Sequence, residues 1–350
     1  MNTSIDNTAR KETPGADATP ALRVAGLRAE FRTEAGTAVA VDGMSYDVQT
    51  GETLAIVGES GSGKSVTSLA VMGLIADPPG RVTAGEVWFE GRDLLKLSER
   101  EMQDVRGNKI SMIFQEPMTS LNPVLSIERQ MVEGIREHLG LGGSGARERA
   151  LEMLRRVHIP APEARLAEYP HQLSGGMLQR IMIAIALSCN PSVLIADEPT
   201  TALDVTIQAQ ILDIMRKLQD EFGTTIVLIT HDMGVVAEMA DRVIIMYAGR
   251  KVEEGSVERI FRDPRHPYTR GLLGALPKLG EAGAVGSREL DEIPGIVPAL
   301  TDLPPGCRFA ARCRYATDRC AAEYPPFEEK RPAQWAACWE SELLPEGYKP

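Results

Sequence analysis

No run of apolar residues in this chain is long enough to cross a bilayer. The longest, Ile181 to Cys189, falls far short of the roughly 20 residues that a spanning helix needs. The first twenty residues are polar and lack the apolar core of a secretion signal, so we expect a disordered lead-in over 1–20 and neither export nor a helical anchor. A basic excess is missing too. Against 49 Asp and Glu stand 38 Lys and Arg, a net charge of −11, which argues against a nucleic-acid partner. Cysteine is scarce. Of five, Cys189 stands alone, while Cys307, Cys313, Cys320 and Cys338 crowd the end of the chain. On this composition a membrane role has to come through a partner.

With 350 residues the chain can bury a full core and fill about two or three domains. Its organising stretch is Gly58-Glu59-Ser60-Gly61-Ser62-Gly63-Lys64-Ser65, which fits G-x-x-x-x-G-K-[ST]. It lies between a strand-like run, Thr53 to Val57, and a helix-like run from Ser65 to about Ile75, the context that a phosphate-binding loop requires. The glycines let the backbone turn with its N–H groups inward, and the following helix offers its positive end to phosphate. Lys64 adds a mobile charge, and Ser65 can hold Mg²⁺.

Before this loop, Leu22 to Leu27, Ala38 to Val41 and Met44 to Val48 read as short antiparallel strands broken at Gly36, Asp42 and Gly43. Phe31 is the candidate to stack on an adenine base, with a half-buried strand Phe as the alternative. After it come a strand at Gly85 to Gly91, a short helix capped by Ser98, and a strand at Ile110 to Phe114. The prolines of Gln115 to Pro123 forbid regular structure there. Helical patterns at Ile127 to Leu139 and Gly145 to Val157 then form an all-helical insertion. Ser174 is placed to cap the next helix, with Gly175 and Gly176 leaving its first N–H groups uncovered, a second anion site.

Ser192 to Thr200 is a continuous apolar strand that breaks at two carboxylates, the pattern of a central parallel strand. Asp197 is suited to Mg²⁺, and Glu198 to polarising the water that attacks a γ-phosphate. A helix from Val205 to Phe222 stops at Gly223, and a strand at Thr225 to Ile229 delivers His231 to the ligand edge of such a sheet. A last hairpin around Gly249 and a helix at Ser256 to Arg262 follow.

Taken in order, the phosphate loop, the Gln115 segment, Leu173-Ser174-Gly175-Gly176, Asp197-Glu198, Thr201 to Asp204 and His231 resemble the motifs of the ATP-binding cassette (ABC) ATPases, over roughly Ala21 to Phe261. The resemblance implies an α/β fold with a RecA-like P-loop NTPase core, an N-terminal antiparallel β-subdomain and an inserted α-helical subdomain. It places a nucleotide-binding domain at 21–262, with the helical insertion at about 116–190. ATP and Mg²⁺ are the implied cofactors. Gln115 would link Mg²⁺ to the membrane subunit, Glu198 would be the general base, His231 would sense the γ-phosphate, and Asp204 would act at a dimer interface. Two such domains would close head to tail, so that Ser174, Gly175 and Gly176 of one face the phosphate bound by Lys64 of the other. Met177 and Leu178 stand where many cassette proteins are polar, but the Ser-Gly-Gly core is intact.

A narrower resemblance rests on Gly58 to Val66, Gln115 to Pro123, His266 to Leu273, Ile293 to Pro298 and Leu303 to Cys307, which look like the D-type ATPase of oligopeptide/dipeptide importers. It implies peptide import across a bacterial inner membrane, with the chain peripheral at the cytoplasmic face. The implied partners are a second cassette ATPase (F-type, or itself), two transmembrane permease subunits and a periplasmic solute-binding protein. Nickel, glutathione, opine or glycoside cargo, and a soluble cassette ATPase, stay open as alternatives.

Spacing within the tail, C-x5-C-x6-C-x17-C, fits no common zinc or ferredoxin pattern and leaves iron–sulfur, zinc and free thiols open. The importer resemblance implies a [4Fe–4S] cluster on Cys307, Cys313, Cys320 and Cys338, within a small Cys-rich C-terminal domain at 263–350. The His that often precedes the last Cys in that family is missing; Gln334 and Trp335 stand there.

Overall fold

Continuous β-branched and aliphatic runs become strands, and the computed structural model describes them over residues 19–201, 204–275, 293–345 and 347. Apart from residues 19 and 20, the expected disordered lead-in lies outside the described residues. The strands are β1 (Leu22–Thr33), β2 (Gly36–Val48), β3 (Thr53–Val57), β4 (Gly80–Phe89), β5 (Arg92–Asp93), β6 (Ile110–Ile113), β7 (Val193–Asp197), β8 (Thr225–Thr230), β9 (Arg242–Tyr247), β10 (Arg250–Ser256), β11 (Glu328–Arg331) and β12 (Gln334–Ala336). The helices are α1 (Lys64–Val71), α2 (Glu99–Val105), α3 (Pro117–Ser120), α4 (Ile127–Leu139), α5 (Gly143–Arg156), α6 (Pro162–Leu166), α7 (Gly175–Leu187), α8 (Val205–Phe222), α9 (Met233–Met239), α10 (Val257–Arg262), α11 (Pro267–Gly274) and α12 (Asp318–Ala322).

Two sheets result. One is antiparallel, in the order β2-β1-β4-β5; the other runs β11-β12-β10-β9-β3-β8-β7-β6. Strands β9, β3, β8, β7 and β6 are mutually parallel, so their carboxyl ends share one edge. Their side chains alternate between buried faces. Leu194, Ala196, Ile226 and Leu228 pack with the inserted helices, while Val193, Ile195, Val227 and Ile229 pack with the antiparallel sheet. Burial on both faces is why these strands read as unbroken apolar runs.

Local signals hold well. Ser98 and Glu101 form a reciprocal capping box at α2, and Gly223 ends α8 in the left-handed conformation. Two readings change. Asp42 and Gly43 do not interrupt β2, because register shifts against β1 absorb the irregularity and give one long hairpin. Within the proline-rich stretch, Pro117 starts a single helical turn, since proline at the first position gives up only an N–H that has no helical partner anyway.

The cysteine-bearing tail corrects two expectations. It does not stand apart as a small domain: β12 pairs with β10 and β11 with β12, extending the main sheet. Phe309, Leu300, Cys307 and Cys313 pack with Val57, Ile245 and Tyr268 in a third core cluster. A [4Fe–4S] cluster is not supported either. Among the described residues, no group of three or more His, Cys, Asp or Glu is placed to hold a metal ion. All five cysteines are free, and Cys307, Cys313, Cys320 and Cys338 line a small apolar cavity with Phe309. Burial pushes the Cys307 thiol up to about 11 and Cys338 up to about 12, so both keep their protons and act as small apolar groups.

Candidate functional site

Four neighbouring parallel strands, β3, β8, β7 and β6, each deliver one segment to the shared carboxyl edge, the place where open α/β sheets bind ligands. From β3 comes the loop Gly58 to Ser65. Gly61 and Gly63 have φ of 77° and 99°, and a Cβ on Gly63 would lie 2.2 Å from the Ala40 carbonyl oxygen, so only glycine fits there. Lys64 is 5% exposed. Its ammonium donates to the carbonyls of Gly58 (2.7 Å) and Glu59 (3.0 Å), and burial lowers its pKa. A buried cation held by two carbonyls, beside a loop of inward-turning backbone, fits a polyphosphate. Ser60 and Gly61 are exposed, while the buried Ser62 links the loop to the sheet by accepting from the Gly249 N–H at 2.9 Å.

Ser65 donates its hydroxyl to Asp197 Oδ1 at 3.0 Å. Burial pushes the Asp197 carboxyl up to about 6. A hydroxyl and a carboxylate at one point form a donor set that fits Mg²⁺. Next to them Glu198, with φ of 47°, turns its side chain into a ring of polar groups. Its Oε2 accepts from Thr201 Oγ1 (2.8 Å) and from Gln115 Nε2 (3.3 Å), and its Oε1 lies 3.2 Å from His231 Nδ1. Burial raises this carboxyl, yet the Thr201 hydroxyl and the His231 ring outweigh it and hold Glu198 below the usual range. The structure thus gathers Gln115, Asp197, Glu198, His231 and the loop at one edge.

Other expected residues lie elsewhere. Ser174 caps α7 by accepting from the Met177 N–H at 3.4 Å, with Ser174 and Gly175 exposed. Gly176 lies against Ile207 at the start of α8, where Asp204 is the cap and accepts from the Ile207 N–H at 2.9 Å. Of the Thr201 to Asp204 segment, residues 202 and 203 lie outside the described residues. Phe31 is a half-buried residue of β1 whose ring lies against Gly80. Sequence reading missed three contributors. Thr201 holds Glu198, Tyr268 accepts from the Glu59 N–H (2.8 Å), and Gln179, buried in α7, donates to the Pro199 carbonyl (2.5 Å). Thr201 stands three residues after Glu198, a local spacing that could have pointed to it, whereas Tyr268 and Gln179 lie 209 and 20 positions from their partners and carry only a polar side chain as their signal.

Against known proteins, residues 41–201 match the family model described as ABC transporter, and residues 252–320 match the oligopeptide/dipeptide transporter C-terminal region. A Brucella melitensis protein named for peptide import and ATP binding is 54% identical over 88% of this chain and 93% of its own length. The oligopeptide transport ATP-binding protein OppD of Bacillus subtilis is 52% identical over 91% of this chain and 88% of its own. Among solved structures, a dimeric ATP-binding cassette in a post-hydrolysis state with ADP and Pi matches with a TM-score of 0.61 at 30% identity, covering 67% of this chain and 98% of that one. The chain belongs to the ABC transporter family, in the branch that carries the oligopeptide/dipeptide C-terminal region.

Proposed function

We propose that this chain is the ATP-hydrolysing subunit that powers an importer for di- or oligopeptides. The observation that carries the reading is the convergence of Lys64, Ser65, Gln115, Asp197, Glu198 and His231 at one sheet edge, in a chain about half identical to ATP-binding proteins named for peptide import. Lys64 and the loop N–H groups bind the phosphates. Ser65, Asp197 and Gln115 would hold Mg²⁺, and when bound the ion would supply neutralisation of phosphate oxygens. Glu198, kept ionised, takes the proton of the attacking water. His231, 3.2 Å away, orients that carboxylate and reaches toward the γ-phosphate. Phe31 is assigned to the adenine.

Residues 21–262 serve as the nucleotide-binding domain, with the helical subdomain at about 116–190, and 263–350 as the C-terminal region. A second cassette, F-type or another copy, completes the site by presenting Ser174, Gly175 and Gly176 to the phosphate, with Asp204 at the seam. The exposed, capped start of α7 supports this role. Among the described residues no helix is long and apolar enough to cross a membrane, so the chain reaches the cytoplasmic face of the inner membrane through two permease subunits, fed by a periplasmic binding protein. Closing and reopening of the ATPase pair then rocks the permeases between two access states.

Purification of the tagged chain from detergent-solubilised membranes, followed by mass spectrometry of every co-purifying chain, tests this. Two multi-span proteins and a second cassette ATPase are expected, with ATPase activity that rises when peptide-loaded binding protein is added. A chain recovered alone, with peptide-independent activity, would overturn the importer reading.

A further inference from the structure

The C-terminal segment reaches back to the phosphate-binding loop. Arg312 lies 253 positions from Glu59, yet its guanidinium grips that carboxylate with two bonds, Nη1 to Oε2 at 2.7 Å and Nη2 to Oε1 at 3.1 Å. The side chain of Arg312 is 6% exposed. Its remaining N–H groups go to the Pro294 carbonyl (2.9 Å), the Ile293 carbonyl (3.2 Å) and the Tyr247 hydroxyl (3.3 Å), so all five donors are used. The rings of Tyr247 and Phe309 flank it at 5.8 and 5.9 Å.

Glu59 is held on every side in turn. Its N–H donates to the Tyr268 hydroxyl, and its carbonyl accepts from the Lys64 ammonium at 3.0 Å and from the Ser62 N–H at 3.2 Å. A pull on the Glu59 carboxylate is therefore a pull on the carbonyl that positions Lys64. Fastening the tail does not require this pair. Arg308 already ties the tail to Asp42 and to the Ala248 carbonyl (2.6 Å), and Gln334 ties it to Glu253 (2.9 Å) within the β10–β12 pairing.

We propose that Arg312 is a positioning residue of the nucleotide site: through its forked pair with Glu59 it holds the phosphate-binding loop and Lys64 in the shape that accepts the polyphosphate, making the C-terminal segment a working part of that site. The proposal rests on the reading of the loop as an ATP site. It requires arginine. A lysine has one charged nitrogen and cannot grip both carboxylate oxygens while also serving two carbonyls and a hydroxyl.

The test is steady-state MgATP hydrolysis by the full-length chain in its purified complex, with thermal melts alongside, for Arg312→Ala, Arg312→Lys, Glu59→Gln, Glu59→Ala and the Arg312→Ala/Glu59→Ala double variant. Loss of the forked pair should raise KM for MgATP about tenfold while kcat changes less than about threefold. Arg312→Lys should recover only part of the affinity, and the double variant should be no worse than the worse single one. A lower melting temperature with unchanged KM, or KM effects that multiply in the double variant, would overturn the proposal. If Arg312→Ala does not fold, Glu59→Gln, which keeps the arginine and the shape, must by itself raise KM several-fold. Lys64→Ala separates the two readings. Undiminished hydrolysis in that variant sinks the ATP site itself, whereas a dead Lys64→Ala beside an Arg312→Ala of normal KM sinks only the positioning role.

Discussion

The hydroxyl of Ser65, at the start of α1 after β3, reaches Oδ1 of Asp197, the last residue of β7, at 3.0 Å, although β8 separates the two strands. That bond joins the phosphate-binding loop to the strand that carries Glu198. A cation at this point would touch both, so under the proposed assignment the nucleotide loop and the base, Glu198, share one edge of the sheet.

Glu198→Gln should keep nucleotide affinity and lose nearly all turnover, by at least about a hundredfold, because the amide retains the shape but cannot accept the water's proton. Equilibrium binding of ATP beside single-turnover hydrolysis checks this. Hydrolysis at the native rate would remove Glu198 from the role of base.

Thr201→Val deletes the 2.8 Å donor that helps hold Glu198 ionised. The carboxyl should then titrate at higher pH, and the acid limb of the kcat profile should move up in pH while the plateau rate falls less. An acid limb that stays in place would mean that another group governs it.

Asp197→Asn should stabilise the nucleotide-free chain at neutral pH while abolishing Mg²⁺-dependent hydrolysis. In the folded chain this carboxyl titrates near 6, above its ordinary 3.8, so folding favours the protonated form. That contribution is full below about pH 4 and disappears as the pH rises through about 6. Melting curves should therefore show the variant gaining on the native chain from about pH 4 to just above 6, by up to about 3 kcal/mol in all, and level beyond that. Parallel curves across that window would contradict the buried acid.

Glu253→Ala should weaken the hold of the tail. This carboxyl has no exposed surface and accepts from the N–H groups of Arg265 (2.6 Å) and His266 (3.0 Å) and from Gln334 Nε2 (2.9 Å). Removing it strands three buried donors, at a cost of about 3 kcal/mol or more. Denaturant melts give the loss, and limited proteolysis should cut first near β12.

Much of the site was legible because its physics is local. The loop Gly58 to Ser65, the caps at Ser98 and Ser174, and the stop at Gly223 each depend on a few adjacent residues, and each stands where the spacing placed it. The misread places were also local in appearance. Gly43 looks like a break until a partner strand absorbs it in a shifted register, and Pro117 looks like a barrier until it occupies the first position of a turn. The tail cysteines looked like a ligand set, and the fold does bring all four to one small apolar cavity, but among the described residues no group there is placed to hold a metal ion, and Cys307 and Cys313 serve the packing of the third core cluster.

By itself, then, the sequence determined the strand, loop and helix that cradle phosphate, the order of the motifs, and the twofold-buried strands of a parallel core. Only the tertiary structure decided the order β3-β8-β7-β6, and with it the meeting of Glu198 with Gln115 and His231, and of Arg312 with Glu59. The reason is physical. Backbone turns and caps are set by neighbours a few residues away, whereas a hydrogen bond between distant side chains exists only after hydrophobic burial on both faces of the sheet has fixed which strands lie side by side.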